Sequence, residues 1–156
     1  MTAIRECSFI LAVSLLFSFA PVSAQTAQSA MPPGSPQLVS PEELVKTLQA
    51  KGEKPLILSV GPSLLFMQAH IPGAEYIGAG SNPQALASLR NRVKNVSHDA
   101  QIVLYCGCCP WEHCPNVAPA YEELHKLGFK RVKVLYLPSN FGADWVYKGY
   151  PTVRGQ

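Results

Sequence analysis

Apolar residues follow two patterns along this chain, short continuous runs and helically spaced stripes, and the two alternate. Leu56-Ile57-Leu58-Ser59-Val60 and Ile102-Val103-Leu104-Tyr105 are continuous runs, the pattern of strands covered on both faces in a parallel sheet. The first stops at Gly61-Pro62 and the second runs into Cys106. Ser40-Pro41-Glu42-Glu43 reads as a capping box with proline at the first helical position. Behind it Leu44, Val45 and Leu48 share one face until Lys51-Gly52 stops the helix. Asn82-Pro83 opens a second helix with Leu86, Leu89 and Val93 inward. Val117, Ala120, Tyr121, Leu124 and Leu127 recur at helical spacing up to Gly128. Asn116 is the expected cap of this third helix, which leaves Pro119 in the first turn, where a missing N–H is tolerated.

Weaker elements fill the gaps. Ile71-Pro72-Gly73 dictates a turn, after which Ala74 to Ile77 can form a brief strand. Val132 to Leu137 is the expected last strand, and Gly142 to Lys148 a final short helix ended by Gly149. Strands and helices alternating at these lengths predict an α/β domain with a mostly parallel sheet flanked by helices on both faces. Ligands of such sheets bind beyond the carboxyl ends of the strands. Cys106 lies at one such end, which makes the segment after it the expected site.

The N-terminal segment carries a different signal. Arg5, an apolar run from Phe9 to Ala20, and Val22-Ser23-Ala24 before Gln25 read as an export signal over residues 1–24. The apolar stretch is shorter than the roughly 20 residues of a spanning helix, so cleavage is expected rather than stable membrane insertion. The mature protein would be periplasmic or secreted, and Cys7 would be lost with the signal. Residues 25–37 turn to Gln, Ser, Ala, Pro and Gly and read as a flexible tether, which leaves residues 38–156 as one folded domain. Hydrophobic residues make up 47% and charged residues 15% of the 156, enough apolar surface for a single core. The net charge of +3 is scattered, without a basic run to follow a phosphate backbone, so no nucleic-acid partner is expected.

Candidate chemistry is concentrated in Cys106-Gly107-Cys108-Cys109-Pro110-Trp111-Glu112-His113-Cys114-Pro115-Asn116. Backbone amides of a loop between strand and helix, together with the helix dipole, stabilise a thiolate at the strand end. Cys106 is therefore the expected nucleophile, and residues Gly107 to His113 the substrate-binding loop. Cys108, Cys109 and Cys114 admit several roles: resolving thiols, a disulfide of Cys114 with Cys108 or Cys109, metal ligands together with Cys106, or packed apolar thiols. Four ligands within nine residues, without paired C-x-x-C knuckles, would strain a tetrahedral site. Trp111 can wall the pocket or cover the helix end. His113 can position a donor or move a proton, or be a solvated loop residue. His70 is expected to hydrogen-bond backbone in a turn, and Tyr76, Tyr105 and Trp145 to be core or pocket-wall aromatics.

Taken in order, Ser40-Pro41-Glu42-Glu43-Leu44, Ala69-His70-Ile71-Pro72-Gly73-Ala74, Val103-Leu104-Tyr105-Cys106, Leu127-Gly128-Phe129 and Gly149-Tyr150-Pro151 resemble the rhodanese-like sulfurtransferases over about residues 38 to 153. The resemblance implies that Cys106 takes a sulfane sulfur from a small donor as a persulfide and passes it to a thiophilic acceptor. It implies no organic cofactor. The chain departs from the family's pattern at two places. Ser59 and Gly61 stand where an Asp and an Arg are common, and the elongated loop has no Arg or Lys but does have Glu112. Thiosulfate is therefore expected to be a weak donor. The competing expectation is a non-catalytic or redox thiol module that binds a soft metal or exchanges disulfides with a partner protein.

Overall fold

A computed structural model describes residues 35–155. The expected export signal and all but the last residues of the tether lie outside this range. The chain runs β1 (Gln37–Val39), α1 (Pro41–Gln49), β2 (Leu56–Ser59), α2 (Ser63–Gln68), β3 (Glu75–Tyr76), α3 (Pro83–Val93), β4 (Gln101–Tyr105), α4 (Val117–Lys126) and β5 (Arg131–Leu135). A one-turn 3-10 segment, Trp111–His113, precedes α4, and a π-helical turn, Gly142–Val146, follows β5. The five strands form one sheet in the order β1-β5-β4-β2-β3, and every pairing is parallel.

Strand geometry sends successive side chains to opposite faces, and the two apolar runs use both. Leu58, Val60, Ile102, Leu104, Val132 and Val134 pack with Leu89 and Val93 of α3 and Ala120 and Leu124 of α4. Ile57, Val103, Tyr105 and Leu135 pack on the other face with Leu44 of α1 and with Phe141 and Trp145. The sheet is thus the middle layer, with β4 buried at its centre.

The capping box at Ser40 forms as expected: Glu43 N–H donates to Ser40 Oγ at 3.2 Å, and Ser40 N–H to a Glu43 carboxylate oxygen at 3.0 Å. Asn82 caps α3 through Gln84 N–H at 2.9 Å. Other expectations need correction. Asn116 precedes α4 but makes no capping hydrogen bond, because its side chain is engaged at the thiol loop. The strand expected over Ala74 to Ile77 narrows to Glu75–Tyr76, and the last strand occupies Arg131–Leu135 instead of Val132 to Leu137. The helix expected over Gly142 to Lys148 is the π-helical turn. Strand β1 and helix α2 were not anticipated.

Candidate active site

Strand β4 carries Cys106 to the carboxyl edge of the sheet, one residue beyond its end. Its neighbour β2 continues alongside, because Val60 N–H donates to Tyr105 O at 2.8 Å. Gly61 then passes directly against the nucleophile candidate. A Cβ at Gly61 would lie 2.3 Å from the Cys106 carbonyl oxygen and 3.0 Å from its Sγ. The family's Arg therefore has no room here, which gives the departure at Gly61 a steric cause. Gly107 turns the chain with φ +85°, and a Cβ on it would meet Phe141 Cβ at 2.8 Å. Phe141 N–H donates to Gly107 O at 3.1 Å and Trp111 N–H to Leu137 O at 3.1 Å. Both bonds tie the loop to the segment after β5.

These constraints bring thiols together. Cys106 Sγ lies 3.2 Å from Cys108 Sγ, and Cys108 Sγ lies 3.1 Å from Cys109 Sγ. The sulfurs of Cys106, Cys108 and Cys114 all lie within 4.8 Å of one another. Cys106 and Cys114 are buried, Cys108 is exposed, and all four are free thiols. Among the loop sulfurs, Cys106 makes its hydrogen-bond contact with Cys108.

Asn116 is the residue that sequence reasoning placed correctly and understood wrongly. Its buried side chain accepts from Ser81 N–H at 3.2 Å and from the Ser81 hydroxyl at 2.8 Å. An N–H can bond only to the amide oxygen, so Ser81 fixes the orientation of the amide. The Nδ2 group is left to donate to Cys106 Sγ at 3.3 Å. Gly80 permits this approach, since a Cβ there would lie 2.1 Å from Asn116 O. No local motif marks this link, because Ser81 and Asn116 are brought together by tertiary packing.

The electrostatics of the cluster shift Cys106 and Cys114 in opposite directions. The neighbouring Cys106 thiol draws Cys114 down to about 5 against the cost of burial, assisted by the backbone amides of Asn116 and Val117 at the start of α4. Cys106 is correspondingly pushed up, first by its proximity to Cys114 and then by burial, while the Cys108 backbone and the Asn116 side chain pull the other way. The α4 amides serve the residue immediately ahead of them. Cys106, ten residues earlier, receives Asn116 Nδ2 instead. Burial also pushes Cys109 up, to about 12, with its contact to Cys108 adding to the shift.

Two spaces lie around the thiols. One is a groove of about 490 Å³ lined by Trp111, Glu112, Cys114, Tyr121, His125 and Lys126. On the Cys106 side the free space is minimal, about 10 Å³ against Ser59, Phe66 and Phe141. The Trp111 indole N–H and the Tyr105 hydroxyl are buried, with no hydrogen-bond partner among the described residues. Burial raises the Tyr105 hydroxyl to about 12, so it stays a neutral phenol beside Cys106. Neither space against Cys106 is lined by Lys or Arg. Glu112 and His113 are exposed. His70 bonds to Phe66 O through Nδ1 at 2.8 Å and stacks on Phe66 with ring centroids 3.8 Å apart. Trp145 donates to Pro151 O at 2.9 Å, and Tyr76 lies 5.4 Å from Phe66 between ring centroids. All three have structural partners, as expected.

Comparison with known proteins agrees with this architecture. The family profile described as rhodanese-like domain matches residues 40–136. The BH2092 protein of Bacillus halodurans superposes with a TM-score of 0.58 at 22% identity, covering 76% of this chain and 77% of that one. A rhodanese-like domain from Anabaena sp. gives 0.55 at 21% identity, covering 77% and 80%. The single-domain sulfurtransferase RDL2 of Saccharomyces cerevisiae gives 0.54 at 17% identity, covering 78% and 100%. Among curated proteins none matches the chain at a significant level. At these identities the structural likenesses bear on the fold, and the profile match spans more than half of the sequence. With the parallel sheet and a cysteine at the end of its central strand, the chain belongs to the rhodanese-like domain family.

Proposed function

We propose that the protein is a sulfurtransferase that carries sulfane sulfur on Cys106. The observation that supports this most is the placement of Cys106 Sγ at the carboxyl end of β4, with Asn116 Nδ2 3.3 Å away to receive negative charge. The Cys106 thiol releases its proton to solvent, and the new thiolate is held by Asn116 and the Cys108 backbone. It attacks the outer sulfur of a persulfide donor R–S–SH. The S–S bond breaks, Cys106 becomes Cys–S–SH, and the leaving thiolate takes up a proton from solvent. An acceptor thiolate then attacks the outer sulfur and restores the Cys106 thiolate, so donor and acceptor exchange one sulfur with no net redox change.

Persulfides and polysulfides suit the site better than thiosulfate, because no cation lines the space against Cys106 to replace the lost hydration of a dianion. That space is too small for a donor, so the loop from Gly107 to Pro110 opens to admit one. Cyanide-dependent sulfur transfer tests the assignment: Cys106→Ser abolishes it with every donor, and activity that survives this change would move the chemistry to another thiol. We also place the protein outside the cytoplasm, on the strength of residues 1–24. N-terminal sequencing of the mature protein should begin at Gln25, and a retained Met1 would remove that part of the proposal.

A further inference from the structure

We propose that Cys106, Cys108 and Cys114 also form a three-coordinate site for a soft monovalent metal ion, cuprous copper. The site shares Cys106 with the sulfur-transfer reading but stands on separate observations. Three thiolates bound about 2.3 Å from a central ion lie about 4.0 Å apart when the arrangement is planar. The three sulfurs here already fall within 4.8 Å of one another. The 3.2 Å contact between Cys106 and Cys108 must open, and Cys108 is exposed and free to give way.

The donor set selects the metal. It is all sulfur, and soft thiolates favour cuprous copper. Zinc in structural sites takes four ligands almost without exception. Among the described residues no fourth Cys, His, Asp or Glu places a ligand atom within the same group. Cys109 touches Cys108 at 3.1 Å yet falls outside the group of three. Cys106 and Cys114 are buried against the apolar core, which keeps competing water away from two of the three ligands. Asn116 Nδ2 beside Cys106 offsets part of the negative charge that three thiolates and one monovalent cation leave behind. A bound ion would occupy the nucleophile, so copper and sulfur loading exclude each other.

The test uses the full chain, reduced and free of sulfane sulfur, titrated anaerobically with cuprous ion against bathocuproine disulfonate. The expected result is one ion held per chain, with an X-ray absorption shell of three sulfurs. Cys108→Ser and Cys114→Ser should each weaken binding by more than the roughly 10–100-fold that loss of a supporting partner costs, while Cys109→Ser binds as the wild type does. The proposal fails if the wild-type chain competes no better than the Cys108→Ser, Cys114→Ser double variant. It also fails if Cys109→Ser weakens binding as much as Cys108→Ser, or if the absorption shell holds two or four sulfurs. The shell is measured on the wild-type chain, so a misfolded variant does not leave the question open. Sulfur loading of the metal-free protein is measured separately, so failure of the copper site leaves the sulfur-transfer reading intact, and the converse holds.

Discussion

Replacing Asn116 by alanine removes the side-chain N–H that donates to Cys106 Sγ, at 3.3 Å, and little else that the fold requires. Ser81 loses its acceptor, but Ser81 is exposed and water can take the place of Asn116 Oδ1. The close approach of Gly80 to Asn116 O involves backbone and persists. A hydrogen bond to a charged group contributes about 1.5–3 kcal/mol, which is roughly a 10–150-fold change in an equilibrium constant. The Cys106 thiolate should therefore become harder to form by about one to two pKa units. Since the donor favours the charged form, the sign is fixed: the pH profile of Cys106 reactivity shifts upward in Asn116→Ala. The assay is alkylation and sulfur loading across a pH series, with the modified cysteine located by peptide mass. Ser81→Ala keeps the donor and the backbone N–H bond to Asn116 Oδ1 and loses only the hydroxyl bond, so it should fall between wild type and Asn116→Ala. A folded Asn116→Ala protein with an unchanged Cys106 profile would refute the role given to this amide.

Other consequences can be measured directly. Gly61→Ala places a methyl group 2.3 Å from the Cys106 carbonyl oxygen and should cost about 3 kcal/mol of stability; denaturant unfolding should show Gly73→Ala, at φ +78° in open space, losing only about 1–2 kcal/mol. Cys114, drawn down to about 5, should react with iodoacetamide at pH values between about 5 and the ordinary thiol range, where Cys106, pushed up, stays unmodified; equal labelling of the two would contradict these opposite shifts. Glu112→Arg supplies the cation that the loop lacks and should lower the Michaelis constant for thiosulfate; no change would mean that a cation elsewhere already serves the donor.

Much of the fold was legible because its strongest signals are local. The continuous runs of β2 and β4 imply burial on both faces, and the Ser40 box and Asn82 mark helix starts. Short elements carried no such signal. Three residues of β1 follow directly on Pro36, and they form a strand only because β5 offers a parallel edge. Helix α2, Ser63–Gln68, has no side-chain cap and buries chiefly Phe66, too little for a periodic stripe. At the site, Cys106 was legible from the run that delivers it. The opposite shifts of Cys106 and Cys114 were not, because they depend on the proximity of the two thiols and on which sulfur the amides of Asn116 and Val117 reach. Nor was the meaning of Gly61, which the sequence shows only as a missing Arg, whereas the contact with Cys106 leaves no room for a side chain. Asn116 looked like a helix cap from its neighbours in sequence; its partners Ser81 and Cys106 are 35 and 10 residues away.

The central claim, that Cys106 carries the transferred sulfur, is tested most directly by intact mass of the metal-free protein before and after exposure to polysulfide or thiosulfate, with reductant as control and the modified peptide mapped. The account predicts a gain of one reductant-labile sulfur on Cys106, greater with polysulfide than with thiosulfate and absent in Cys106→Ser. A sulfur gained on Cys108, Cys109 or Cys114 while Cys106 remains a free thiol, or undiminished loading of Cys106→Ser, would contradict it.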